Sequence, residues 1–164
     1  MFKSHKKILM LITVVLLIIV FSIFYYKSYV YYYEGRNSVQ NRTAKSIYKI
    51  TESVLYTFDK SELSDDFIIS SNKSFEMDTN VDKSFYDEMM TLANLNNIDY
   101  NEGVYYIEIR NKEVYKVIYA DWYYSGYVGA FPNYNVDCNS YCKIVKKAYS
   151  EYETYINDKN INIT

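Results

Sequence analysis

Residues Val104–Asp121 read VYYIEIRNKEVYKVIYAD. β-Branched and aromatic residues fill both sides of Asn111-Lys112-Glu113, the pattern of two strands joined by a tight turn. A three-residue loop at 111–113 opposes Ile109 to Tyr115, Glu108 to Lys116, Ile107 to Val117 and Tyr105 to Tyr119. That register gathers apolar side chains on one face and sets opposite charges together on the other. A two-residue loop at Asn111-Lys112 would oppose Ile107 to Lys116, a poorer match. The three-residue register is therefore the expectation, although the loop lacks the Gly such turns favour.

Outward from the hairpin, Tyr127–Phe131 predicts a third strand, stopped by Pro132. Residues 140–157 predict an amphipathic helix burying Val145, Tyr149, Tyr152 and Ile156. On the other side, Asp82 is placed to cap a helix reaching about Leu95, with Phe85, Met89 and Leu92 on one face. Phe67–Ser70 and Ser74–Met77 predict short strands around a turn at Ser71-Asn72-Lys73. Ser38–Asp59 predicts a further helix, capped by Asn37 or Ser38. Its apolar stripe is Ile47, Ile50, Val54, Leu55 and Phe58, with Arg42, Lys45, Lys49 and Glu52 mainly between them. Helices segregated from a small antiparallel sheet define an α+β class, the first amphipathic helix covering the sheet and two further helices following.

Farther out, Ile8–Tyr26 reads ILMLITVVLLIIVFSIFYY, nineteen residues without charge, Gly or Pro. As a helix it extends roughly 28 Å, the hydrocarbon thickness of a bilayer. Lys3, Lys6 and Lys7 precede it and only Lys27 follows closely, a bias that puts the N-terminus in the cytoplasm and the remaining chain outside. Phe24, Tyr25, Tyr26, Tyr29 and Tyr31 to Tyr33 crowd the far end, as amphipathic rings do at a headgroup boundary. A cleaved signal peptide is the rival reading, but Phe21-Ser22-Ile23-Phe24-Tyr25 offers almost no small residues for a cut. The expected organisation is a basic tail at 1–7, a transmembrane helix at 8–26, an aromatic juxtamembrane link at 27–37 and an extracytoplasmic α+β domain at 38–164. The link gives two arrangements: one long helix bent near Gly35, or two helices joined there.

The 164 residues allow one globular domain plus an appendage. With 18 Lys and Arg against 20 Asp and Glu, the chain lacks the basic excess of a nucleic-acid binder. Four of the basic residues lie in or beside the apolar run, so the part from Ser28 onward holds 14 against all 20 acids, a net charge of -6. Such a domain stays off an anionic membrane surface.

Few residues form a pattern that carries chemistry. His5, the only histidine, lies before the apolar run, and no GxSxG or phosphate-binding Gly-rich loop occurs. Ser46 and Ser70 each stand three residues before a Lys without supporting motifs. Asp65-Asp66 and Asp87-Glu88 are adjacent acids of the kind that face solvent, whereas acid–base catalysis needs carboxylates converging on one cleft. Asp78, Asn80 and Asp82 lack the Gly and the closing Glu of a calcium loop. Cys138 and Cys142, outside the cytoplasm, predict a disulfide; two free thiols are the alternative, and a structural zinc lacks two further ligands. Trp122-Tyr123-Tyr124 follows the hairpin, where flat rings bind a carbohydrate or peptide if a loop exposes them. No metal and no cofactor are expected.

The layout resembles that of type IV pilins and pseudopilins. The resemblance lies in the apolar helix running into Arg42–Phe58 (RTAKSIYKITESVLYTF), in the hairpin leading to Tyr127-Val128-Gly129-Ala130-Phe131-Pro132, and in a Cys pair near the C-terminus. It implies a non-enzymatic, membrane-anchored structural or interaction subunit of a pilus or secretion-type assembly. Its partners would be the lipid bilayer and other proteins or further copies of itself. The family's cleavage pattern, a Gly before an aromatic start and a Glu inside the apolar run, is not matched at His5-Lys6-Lys7-Ile8. The alternative is a membrane-tethered module reading a cell-wall, peptide or sugar ligand through Trp122, Tyr123 and Tyr124.

Overall fold

The computed structural model describes residues 2–58, 63–71, 83–95, 103–132 and 140–161. Among these residues, three helices and four strands follow in the order α1 (Phe2–Thr57), β1 (Phe67–Ser70), α2 (Lys83–Leu95), β2 (Val104–Arg110), β3 (Glu113–Ala120), β4 (Gly129–Phe131) and α3 (Tyr141–Ile161). The architecture is α+β, with a four-stranded antiparallel sheet in the order β1-β2-β3-β4. Two compact units divide the chain, Met1–Arg36 and Asn37–Thr164.

The first unit is helical from Phe2 onward. Its Ile, Leu and Val side chains at residues 11–23 are exposed on every side, since no second element among the described residues covers them. Ser22 returns its hydroxyl proton to the Ile18 carbonyl at 2.8 Å, which satisfies a polar group inside the apolar run. Phe24, Tyr25, Tyr26, Tyr29 and Tyr31 are likewise exposed, and Tyr29 stacks on Tyr33 at 6.4 Å. Helix continues through Gly35, so the two-helix alternative does not hold and neither Asn37 nor Ser38 is a cap.

In the second unit, α1 lays Gln40, Ala44, Ile47, Thr51 and Val54 toward the sheet at spacings of four and three, together with Ile50 and Leu55. Gln40, Ala44 and Thr51 escape a reading of large apolar residues because one is polar, one small, and the third returns its hydroxyl to Ile47 at 2.9 Å. With Phe85, Met89 and Ala93 of α2, this stripe covers Phe67, Ile69, Tyr105, Ile107, Ile109, Val117 and Tyr119. Each fully buried aliphatic side chain stabilises by about 1.5–3 kcal/mol. The opposite face carries Ile68, Tyr106, Ile118 and Ala120, and α3 covers it with Tyr141, Ile144, Val145 and Ala148. The sheet is thus sandwiched between helices, α1 and α2 on one face and α3 on the other. Of the predicted α3 face, Val145 is buried; Tyr149, Tyr152 and Ile156 are half-buried.

The hairpin corrects the expected loop. Tyr105 faces Tyr119, Ile107 faces Val117 and Glu108 faces Lys116 as anticipated, but Ile109 faces Val114 and Arg110 faces Glu113. The turn has two residues, Asn111 and Lys112, both at positive φ (52° and 61°), the geometry that matches strand twist. A bulge beside Glu108 and Ile109 leaves Tyr115 as the extra residue on β3. One inserted residue reconciles the short turn with the Ile107–Val117 pairing.

Gly129 fixes how α1 meets β4. A Cβ there would lie 2.1 Å from the Gln40 carbonyl carbon and 2.4 Å from the Asn41 nitrogen, so only glycine permits the approach. The Ala130 N–H donates to Asn41 Oδ1 at 3.0 Å, which satisfies a backbone donor on the edge strand. The third strand is shorter than predicted, Gly129–Phe131, and ends before Pro132. The strand expected at 74–77, the Asp82 cap and the helix end at Asp59 lie outside the described residues.

Candidate functional site

The aromatic loop after β3 is held at its base and open at its tip. The Ser125 N–H donates to the Trp122 carbonyl at 3.0 Å, and the Tyr141 N–H donates to the Ser125 carbonyl at 3.2 Å. The Tyr127 N–H closes on Ser125 Oγ at 3.1 Å. Tyr123 turns inward: its hydroxyl lies 3.0 Å from Cys142 Sγ, and its ring meets Tyr141 edge-on at 6.3 Å. Trp122 and Tyr124 point outward, 56% and 71% exposed, with ring centroids 5.9 Å apart. Of the three expected binding aromatics, two are thus presented to solvent and the third anchors the loop. Cys142 is a free thiol near the start of α3; Cys138, its expected disulfide partner, lies outside the described residues.

A second constellation ties α3 to the hairpin. Glu108 is fully buried, accepting from Arg110 Nε at 2.6 Å and from the Tyr106 hydroxyl at 3.1 Å. Burial, reinforced by the Glu108 charge, pushes the Tyr106 phenol well above its ordinary range. The Arg110 guanidinium sits between the Tyr115 ring at 3.8 Å and the Tyr155 ring at 4.2 Å. Lys116, the register partner of Glu108, turns instead to Glu151 of α3 at 3.1 Å. The expected cross-strand charge pair is therefore replaced by one ion pair along β2 and another to α3.

Asp66 completes this clamp. It accepts from the Asn111 N–H at 2.9 Å, the Tyr155 hydroxyl at 3.0 Å and Lys159 Nζ at 2.5 Å. Burial alone raises the Asp66 carboxyl, but these three bonds outweigh it and hold the group below its ordinary value. Lys159 is raised in turn, chiefly by its bond to Asp66.

These acids do not converge as catalytic pairs do. Asp65 is exposed beside Lys112, Asp66 is spent in the clamp, and Asp87 and Glu88 stand exposed on α2. Ser46 and Lys49 are both exposed on α1. Among the described residues no group of three His, Cys, Asp or Glu converges to hold a metal ion; Asp78, Asn80 and Asp82 lie outside them. No sequence pattern marks the cleft between α1 and the β2–β3 turn, lined by Tyr48, Glu52 and Tyr56 on one side and by Lys112 and Glu113 on the other. Its signal is weak in one dimension, because α1 and the turn are more than fifty residues apart.

Fold and sites together define an α+β unit that follows a helix long and apolar enough to cross a membrane. No protein-family model matches the chain, and neither a curated protein nor a solved structure matches it.

Proposed function

We propose that this chain is a single-pass membrane protein with its N-terminus in the cytoplasm and its α+β unit outside. That unit acts as a non-enzymatic structural or interaction element, pilin-like in layout, beside a pilus or secretion-type assembly. The observation that carries the reading is the stretch of α1 at residues 10–24, whose apolar side chains are exposed all round and need lipid or other apolar helices as surroundings. The lysines before it supply the orientation. The test is fractionation of native cells with mass spectrometry of the N-terminus. Retention in alkali-washed membranes with the apolar run intact supports the anchor; a soluble product lacking it refutes the proposal. Crosslinking in intact cells then addresses the partner: recovery of an assembly component is expected, and recovery of the monomer alone counts against the interaction role.

The exposure of Trp122 and Tyr124 favours a second reading, a tethered module that stacks these rings on a sugar or peptide of the cell wall. Trp122→Ala with Tyr124→Ala abolishes wall binding on this reading and leaves the crosslinks of the first unchanged.

A further inference from the structure

The cleft beside the β2–β3 turn has a volume of about 290 Å³. Leu55 and Val114, both buried, form its apolar floor. Tyr48, fixed edge-on against Phe131 at 4.7 Å, and Tyr56, almost fully exposed, supply aromatic walls. Glu52 and Glu113 stand at the rim, and both act on Tyr48, whose phenol is pushed up by burial and then by these two charges. Among the described residues no ion pair involves either glutamate, whereas the third charged residue here, Lys112, reaches Asp65 at 3.4 Å.

We infer that this cleft binds the side-chain ammonium of a lysine residue presented by a peptide. Its parts divide the work along such a side chain. The methylene stem lies on Leu55 and Val114, where burial of CH₂ groups is favourable and the charged tip stays near the rim. With Lys112 drawn to Asp65, the ammonium meets two carboxylates that form no ion pair among the described residues, and two tyrosine rings whose faces attract a cation. A purely apolar ligand would desolvate those carboxylates without replacing their water, and an anion would be repelled. The volume lies at the lower limit of ligand pockets, which suits one side chain and excludes a large cofactor. The site belongs to the Asn37–Thr164 unit alone, so it stands apart from the membrane and assembly reading above.

The test uses the full chain in detergent micelles, labelled at Leu and Val methyl groups, titrated with Nα-acetyl-lysine methylamide. Saturable shifts at Leu55 and Val114 are expected, with a dissociation constant of about 1–10 mM, the range open to a single side chain. Nα-acetyl-norleucine methylamide, which keeps the stem and lacks the amine, is expected to give no saturable shift. Glu52→Gln with Glu113→Gln, both at exposed positions, is expected to weaken lysine binding about tenfold with the remaining methyl spectrum unchanged. Absence of saturable shifts at Leu55 and Val114, equal response to the two probes, or full binding by the double variant would each overturn the assignment.

Discussion

Gly129→Ala should destabilise the α+β unit by forcing helix backbone away from the edge strand. The new Cβ would lie 2.1 Å from the Gln40 carbonyl carbon and 2.2 Å from its oxygen, both helix backbone, where ordinary contact begins at 3.4 Å. Helix α1 must therefore withdraw by about 1.3 Å, because neither backbone can fold away as a side-chain tip can. Withdrawal breaks the Ala130 N–H bond to Asn41, worth about 1 kcal/mol, and loosens Ala44 and Ile47 from the core. Overpacking adds about 1–3 kcal/mol, so the total is about 2–4 kcal/mol. For a unit of this size that lowers Tm by roughly 10 °C. The assay is thermal unfolding of the full chain in detergent followed by near-ultraviolet circular dichroism, which reports the packed tyrosines rather than the apolar helix. Asn41→Ala, which removes the hydrogen bond without a clash, should cost only about 1 kcal/mol. A Gly129→Ala protein melting within about 2 °C of the native one, or no less stable than Asn41→Ala, would refute the close approach.

Three further outcomes follow from the hairpin and its clamp. Arg110→Met strands the buried Glu108 carboxylate with Tyr106 as its remaining partner and should cost about 3 kcal/mol in urea unfolding. Adding Glu108→Gln should recover part of that loss, and a double variant no more stable than the single would disprove the ion-pair argument. Lys112→Gly places the residue best suited to positive φ in the turn and should stabilise by about 0.5–1 kcal/mol; a loss of stability would show that the Asp65 contact outweighs the backbone. Asp66 is depressed in the folded state, so its contribution is present above the unfolded carboxyl value near pH 4 and is lost as pH falls through the folded value. Melting curves from pH 5 to pH 2 should steepen for the native chain relative to Asp66→Asn; parallel curves would remove the clamp from the acid response.

Large apolar residues at regular spacing made the elements legible, and residues with unusual local roles did not. Phe85, Met89, Ile47 and Val54 were readable as core because periodicity alone places them on one face. Tyr141, Ile144 and Ala148 were not, since the tyrosine-rich α3 offers several faces of similar hydrophobicity and only docking on Tyr106 and Ile118 chooses among them. The turn is not legible in sequence because Asn111-Lys112 lacks a glycine and a bulge cannot be seen in a pairing scheme that keeps strict alternation. Among the expected binding aromatics, Trp122 and Tyr124 face outward while Tyr123 is drawn to Cys142, a distinction that three adjacent rings do not announce.

The amino-acid order by itself determined the helix of Ile, Leu and Val, the strand pairing around Ile107 and Val117, and the α+β class, because each rests on local propensity and on a periodicity carried within one segment. Tertiary structure decided what depends on distant segments meeting. It set the second helical layer on the sheet, buried Glu108 beneath a stacked Arg110, and joined Asp66 to Lys159 across 93 residues. It also brought α1 onto Gly129 and opened the cleft between Tyr48 and Glu113. Burial, desolvation and close backbone approach arise only when elements pack, so no one-dimensional pattern contains them.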